Sequence, residues 1–398
     1  MSDVLSQGGD REPGRRWRWV IPIAVLVLAT VLIAEHLPRH RHGQAHPRPD
    51  SASQAAVPLV PLGLHVHEPG GVSGLAMSRR QNLRLPLAGP QPAWLWLGTG
   101  HEQPIGGLPR VESGYQFNRV PGGWAVQAGS DATVRCGSCS GPQVPVYFLA
   151  DGARSATRLG TANQVAPGAS ARALWLTSYP AGSDMRTTAA TAQEVSVTGV
   201  PSGPSFRLPV GYALDQATDR GLLLVPTAQP GTPVYTLWRP GAARASRSFE
   251  GVIAASATRV AWTTRCAPLC RVRVVDLATG RQTTVALPGA SSAVNGAFSP
   301  DGKFLALQVS FDSRGDDGAL AMQLDVVPAA SSRPVPVPGL NVSSDALVSF
   351  GWPARGDDLV AELSFIAKVQ VASWYPGARQ LVVAVINSGS ESGALILR

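Results

Sequence analysis

Residues 294–310 read VNGAFSPDGKFLALQVS. The segment is an extended stretch, a tight turn at Ser299-Pro300-Asp301-Gly302, and a strongly apolar strand from Phe304 to Val309. Pro300 presets φ for the second turn position, and Gly302 closes the turn. A strand this apolar expects cover on both faces, so it is placed between neighbouring sheets.

The same pattern recurs along the chain as YQFNRVPGGWAVQAG (115–129), GYALDQATDRGLLLV (211–225), VIAASATRVAWTT (252–264) and VSFGWPARGDDLVAEL (348–363). A second element alternates with it: a short run with alternating apolar residues that ends in a turn. Its copies are AWLWLGTG (93–100), PVYFLADG (145–152), EVSVTGVPSG (194–203), PVYTLWRPG (233–241), VRVVDLATG (272–280), AMQLDVVPA (321–329) and KVQVASWYPG (368–377). Successive starts lie 52, 49, 39, 39, 49 and 47 residues apart. Such spacing suits a four-stranded blade that is too small to hold a core alone and must stack on its neighbours. The expected fold is all-β, a β-propeller of seven blades, with six as the alternative. GALILR (393–398) is the candidate strand for closing the ring, which would remove the open sheet edge.

FSPDGKFLAL (298–307) resembles the signature of TolB-like propellers, found also in related WD-type repeats. The order of anchor, linker and propeller resembles envelope proteins of GC-rich bacteria. The resemblance covers residues 91–398 as architecture and only 298–307 closely. It implies a ring with a central channel and loop faces that bind proteins or small ligands, and it supplies no catalytic residues.

The run WVIPIAVLVLATVLIA (19–34) carries no charge and is long enough, at the short end, to span a bilayer. The expected organisation is a cytoplasmic tail (1–17), a transmembrane signal anchor (18–35), a Pro/His/Arg-rich linker (36–90) and the propeller (91–398). A cleaved signal peptide is the rival, although no clean cleavage site follows the run. The propeller is accordingly expected outside the cytoplasm.

Composition narrows the chemistry. Gly (42) and Pro (34) are abundant and only 15% of residues are charged, which favours many turns around a sizeable core. The net charge of +8 is carried almost wholly by arginine, the only lysines being Lys303 and Lys368. No basic run interleaved with aromatics accompanies it, so nucleic acid is not expected as a partner. All seven histidines lie at or before His101, which leaves the body of the domain no imidazole for a Ser-His-Asp arrangement. The histidine run at 40–46 reads as a solvated linker.

Four cysteines fall in two loops, Cys136 and Cys139 in CGSC, Cys266 and Cys270 in CAPLC. Two local disulfides, a redox C-x-x-C or a shared zinc site are the competing readings, the first favoured by an oxidising compartment. The aspartates of FDSRGDDGA (Asp312, Asp316, Asp317) and RGDD (Asp357, Asp358) match no calcium spacing and read as solvated turns. Asp276 reads as a hairpin cap. Tryptophans occur about once per blade and are expected between blades, with Trp352, in a turn-rich stretch, the one expected to be exposed and available for ligand stacking.

The expected function is a membrane-tethered, non-enzymatic binding or scaffolding module for an envelope protein or glycan, with no cofactor and no metal. The second reading is a propeller hydrolase or lactonase with a metal in the central channel.

Overall fold

The computed structural model describes residues 84–88, 91–96, 101–111, 114–129, 140–228, 230–264, 266, 269–314, 320–343, 347–353, 358–365, 368–378 and 382–386. Across them the chain forms seven antiparallel sheets and no helix. Blade 1 holds Arg84–Leu87, Ala93–Trp96 and Glu102–Pro104. Blade 2 holds Tyr115–Val120, Gly123–Ala128, Val144–Ala150 and Thr157–Ala162. Blade 3 holds Gln164–Pro167, Ala173–Ser178, Thr191–Ser196 and Phe206–Arg207. Blade 4 holds Tyr212–Thr218, Gly221–Pro226, Val234–Trp238 and Arg247–Glu250. Blade 5 holds Val252–Ala255, Arg259–Thr263, Cys270–Asp276 and Gln282–Leu287. Blade 6 holds Ser292–Phe298, Phe304–Arg314, Leu320–Pro328 and Val335–Ser343. Blade 7 holds Leu347–Gly351, Leu359–Phe365, Lys368–Trp374 and Val382–Ile386.

Each sheet is built in chain order, strand next to strand, and blades 2 with 3, 3 with 4, 5 with 6 and 6 with 7 meet through their first strands. This is a seven-bladed propeller with the first strand of each blade at the axis. The seven alternating elements read from the sequence all fall on third strands, and in blade 1 the corresponding strand is Ala93–Trp96. Its three described strands are therefore the second to fourth of a blade. The first described strand, Arg84–Leu87, lies inside the stretch that the sequence assigns to the linker. The anchor at 18–35, the linker histidines and the closing candidate 393–398 lie outside the described residues.

Apolar side chains from facing blades fill the spaces between sheets. Leu85, Trp94 and Leu95 of blade 1 pack with Phe117, Trp124 and Leu149 of blade 2 and with Val360 and Val371 of blade 7. Trp352, Leu359 and Trp374 of blade 7 pack with Leu324, Val326 and Val337 of blade 6. No blade has a core of its own, as expected of sheets buried on both faces. One device recurs in sequence and geometry. Trp238-Arg239-Pro240-Gly241-Ala242 and Trp374-Tyr375-Pro376-Gly377-Ala378 both leave a third strand, and in each the indole Nε1 donates to the alanine carbonyl (2.8 and 2.9 Å).

Four consecutive blades share another irregularity. The pairing of first and second strands slips by one residue between Leu214 and Gln216, Val252 and Ala254, Ala293 and Asn295, and Leu347 and Ser349. Each slip is a β-bulge whose extra residue is Asp215, Ile253, Val294 or Val348.

Candidate functional site

The turns joining first to second strands all lie on one side of the ring, together with the turns joining third to fourth strands. At this turn face the axis opens into a cavity of about 710 Å³. Its wall comes from blades 2 to 7, through Arg119–Gly122, Pro167, Ala169, Ala171, Gln216, Ala255–Thr258, Gly296–Gly302 and Phe350–Trp352. Most of these residues are Gly, Ala, Pro or Ser, because tight turns select them and because turns of five blades crowd around one axis, with Gln216 of a first strand completing the wall. Short side chains leave the room and expose backbone polar groups to it.

The SPDG turn forms part of this wall. Gly302 N donates to Ser299 O at 2.8 Å, closing the β-turn, and Gly302 has φ of +69°. The buried Ser299 hydroxyl donates to Asp301 Oδ1 (2.8 Å) and accepts from Phe304 N (2.9 Å). Burial raises the Asp301 pKa, but the Lys303 ammonium, the Lys303 backbone N–H and the Ser299 hydroxyl outweigh that and hold the carboxyl at about 2. Pro300 is exposed and faces the cavity.

Arginines lock the turns to one another. Arg119 pairs in bidentate fashion with Asp151 (2.9 and 3.1 Å) and lies over the Trp124 ring. Arg84 of blade 1 reaches Gly152 O of blade 2, Arg220 of blade 4 reaches Ala278 O of blade 5 at 2.9 Å, and Arg259 of blade 5 reaches Gly302 O of blade 6 at 2.6 Å. These charge-assisted bonds run in one direction around the ring, each from a blade to the next in the chain.

Trp352 is not the exposed ring expected. It is 3% exposed, stacks on Phe304 of blade 6 with centroids 5.7 Å apart, and donates from Nε1 to Ala297 O at 3.0 Å. A turn-rich sequence suggested exposure, but the neighbouring blade covers the turn. Trp94, Trp124, Trp175, Trp238 and Trp374 are also buried between blades. Asp276 caps its hairpin, accepting from Thr279 N (2.8 Å) and Thr279 Oγ1 (2.9 Å). The Cys266 and Cys270 sulfurs are paired at 2.14 Å, while Cys136 and Cys139 lie outside the described residues. So do Asp316, Asp317 and Asp357, and nothing is described of the Asp312 side chain. Among the described residues no three His, Cys, Asp or Glu side chains converge.

Similar folds occur among solved structures. A prolyl endopeptidase matches with a TM-score of 0.49 and 12% identity over 78% of this chain, which spans about half (51%) of that protein. A TolB from Agrobacterium tumefaciens matches with a TM-score of 0.37 and 11% identity, over 61% of this chain and 87% of that one. The β-propeller domain of the Trilobed protease from Pyrococcus furiosus matches with a TM-score of 0.43 and 7% identity, over 67% and 81%. The chain matches no protein-family model and no curated protein sequence. These similarities carry no argument about activity. The fold rests on the seven sheets themselves.

Sequence reasoning missed one group at the axis. Asp215 is the bulged residue of the first strand of blade 4, exposed between the buried Leu214 and Gln216. Both faces of that strand are covered by blades, so the solvent it meets is in the channel. Burial on its other sides pushes the carboxyl up to about 6. Tyr235 on the same sheet is pushed up to about 12, first by burial and then by the Asp215 charge. The signal available was a lone acid inside the strand YALDQAT, which alternation alone does not place.

Proposed function

We propose that this chain is a membrane-tethered binding module that holds a segment of an envelope protein in the turn-face mouth of its ring. The observation that carries this reading is the cavity itself. Its volume of about 710 Å³ lies within the usual range for ligand sites, and its wall is turn backbone with a few polar groups at Arg119, Gln216, Ser299 and Asp301. A wall of short side chains and backbone groups suits a polypeptide, which can hydrogen-bond to it along its length. A glycan would ask for exposed aromatic platforms, and of the aromatic rings in the wall Trp352 is stacked on Phe304 and Phe350 is buried. The apolar run at 19–34 supports a tether that would keep the ring near a membrane surface.

The test compares the full chain in its native membrane with Ala171→Trp and Ser256→Trp variants, which fill the mouth from blades 3 and 5. Crosslinking is expected to capture a reproducible protein partner with the wild type and to lose it with both variants. Equal capture by all three, or no reproducible partner, overturns the reading.

A further inference from the structure

The turn that follows a third strand takes one form in five blades. Its closing bond runs from Ala153 N to Ala150 O in blade 2, Gly199 N to Ser196 O in blade 3, Ala242 N to Arg239 O in blade 4, Ser331 N to Pro328 O in blade 6 and Ala378 N to Tyr375 O in blade 7. The residue just before each turn, at the end of the strand, is Leu149, Val195, Trp238, Val327 or Trp374. Each packs toward the preceding blade. The five turns therefore present one equivalent slot between blades, closed below by apolar strands and open at the turn face.

Three of these slots hold an indole. Trp238 and Trp374 fill their own, and Trp94 of blade 1 enters that of blade 2. Their Nε1 atoms donate to the carbonyls of Ala242, Ala378 and Ala153, the last residue of each turn, at 2.8, 2.9 and 2.6 Å. In blade 3 the chain itself closes the slot, since a Cβ on Gly199 would come 2.7 Å from Arg158 O of blade 2. Blade 6 has neither device. Val327 stands where Trp238 and Trp374 stand, and a cavity of about 380 Å³ remains between blades 5 and 6. Val274, Val285, Leu305 and Val327 line its apolar part. Ser331 lines it too, and its carbonyl, the counterpart of the Ala242 and Ala378 carbonyls, accepts no hydrogen bond among the described residues. Arg281 stands exposed at the edge, and its guanidinium has no hydrogen bond or ion pair among the described residues.

These features select one kind of occupant. An apolar slot wants a flat apolar group, the unused carbonyl wants an N–H, and a guanidinium at the edge favours an aromatic face. An indole meets all three, and the fold already seats one at three equivalent places. We propose that the slot between blades 5 and 6 receives a tryptophan side chain of the partner, its N–H donating to Ser331 O. Phe298 lines both this slot and the mouth, so a segment held in the mouth lies within reach of it. The inference rests on the reading of the mouth as a protein-binding site and adds the residue that the partner must present.

The test uses the full chain and N-acetyl-L-tryptophanamide, which reproduces a tryptophan within a polypeptide. Calorimetric titration is expected to show saturable binding to the wild type. The same probe methylated on the indole nitrogen should bind about fivefold more weakly, having lost its donor. Val327→Trp supplies the missing indole from the chain itself, as blades 4 and 7 do. It should raise the thermal midpoint and weaken probe binding by about tenfold or more. Thr283→Phe obstructs the slot from an exposed strand position of blade 5 and should also lose the probe, which keeps the test sound if Val327→Trp does not fold. Failure of the probe to bind overturns the proposal, as does equal binding by the wild type and Thr283→Phe, or by the probe and its methylated form. Binding of free indole with none of the amide probe overturns it as well, because the slot then takes a small molecule rather than a residue of a chain. If the probe fails while the mouth-filling variants still lose the partner, the slot inference is wrong and the mouth reading stands. If the probe binds but those variants keep the partner, the mouth reading fails and the indole site stands alone.

Discussion

Arg259, the first residue of a second strand in blade 5, donates from its guanidinium to Gly302 O in the SPDG turn of blade 6 at 2.6 Å. The bond joins two blades at the rim of the cavity, where apolar packing gives way to turns. Arg84 and Arg220 also reach the next blade, but at its third-to-fourth-strand turn, through Gly152 O and Ala278 O.

Removing such a clasp should cost more than a surface charge would. Arg259→Ala leaves the Gly302 carbonyl without its donor and is expected to destabilise by about 1–2 kcal/mol. Urea unfolding of the variant checks this, and an unchanged midpoint would show that water replaces the guanidinium.

Trp352 carries a second blade-to-blade link. Trp352→Phe keeps an aromatic against Phe304 but loses the bond to Ala297 O, and should cost about 1 kcal/mol. Trp352→Ala also opens a cavity and should cost about 3–5 kcal/mol. Thermal midpoints separate the two. A Trp352→Ala protein as stable as the wild type would contradict the burial described here.

The Asp215 carboxyl has a pH signature with a defined sign. Its folded value of about 6 lies above the ordinary 3.8, so the folded state binds the proton more tightly than the unfolded chain does. The contribution to stability is full below 3.8 and is lost as pH rises through about 6. Asp215→Asn removes that loss. The variant should unfold at a higher temperature than the wild type near neutral pH, and the gap should close by pH 4 or so. A gap that is constant with pH would show that the group does not titrate as described.

Glycines separate backbone strain from crowding. Gly241 and Gly377 have φ of +81° and +93°, and an added Cβ would meet nothing within 4 Å at either. Alanine there should cost about 1 kcal/mol, for the left-handed backbone alone. At Gly123 an added Cβ would overlap the Leu149 carbonyl oxygen and come 2.8 Å from the Phe148 ring. Gly123→Ala should therefore cost more, about 2–3 kcal/mol. Denaturation midpoints of the three variants give the order directly.

The paired sulfurs of Cys266 and Cys270 should resist alkylation until the protein is reduced, which peptide mass mapping reads. A bond closing so short a loop should contribute about 2 kcal/mol. Alkylation of both thiols in the unreduced protein would rule the bond out.

Much of the fold was legible because its signals are local. The seven third strands announce themselves by alternation and by the turn that follows, and SPDG dictates its own geometry. Two elements escaped. Strand Arg84–Leu87 contains Pro86 and reads as linker, and the inner pair Gln164–Pro167 with Ala173–Ser178 shows no alternation, ALWL being one apolar run. Both need a neighbouring strand before they look like structure. Trp352 was misplaced for the same reason, since the side chain that covers it comes from Phe304 of another blade.

From its residues alone the chain specified an all-β repeat, the turns that punctuate it and the lack of any imidazole beyond His101, because turn chemistry and strand alternation depend only on near neighbours. Closing the ring decided the rest. Turns from five blades and a strand residue of a sixth created a cavity, and bulges in four adjacent blades left one acid exposed on a first strand. A one-residue slip between paired strands redirects a side chain, and only the paired structure contains that slip.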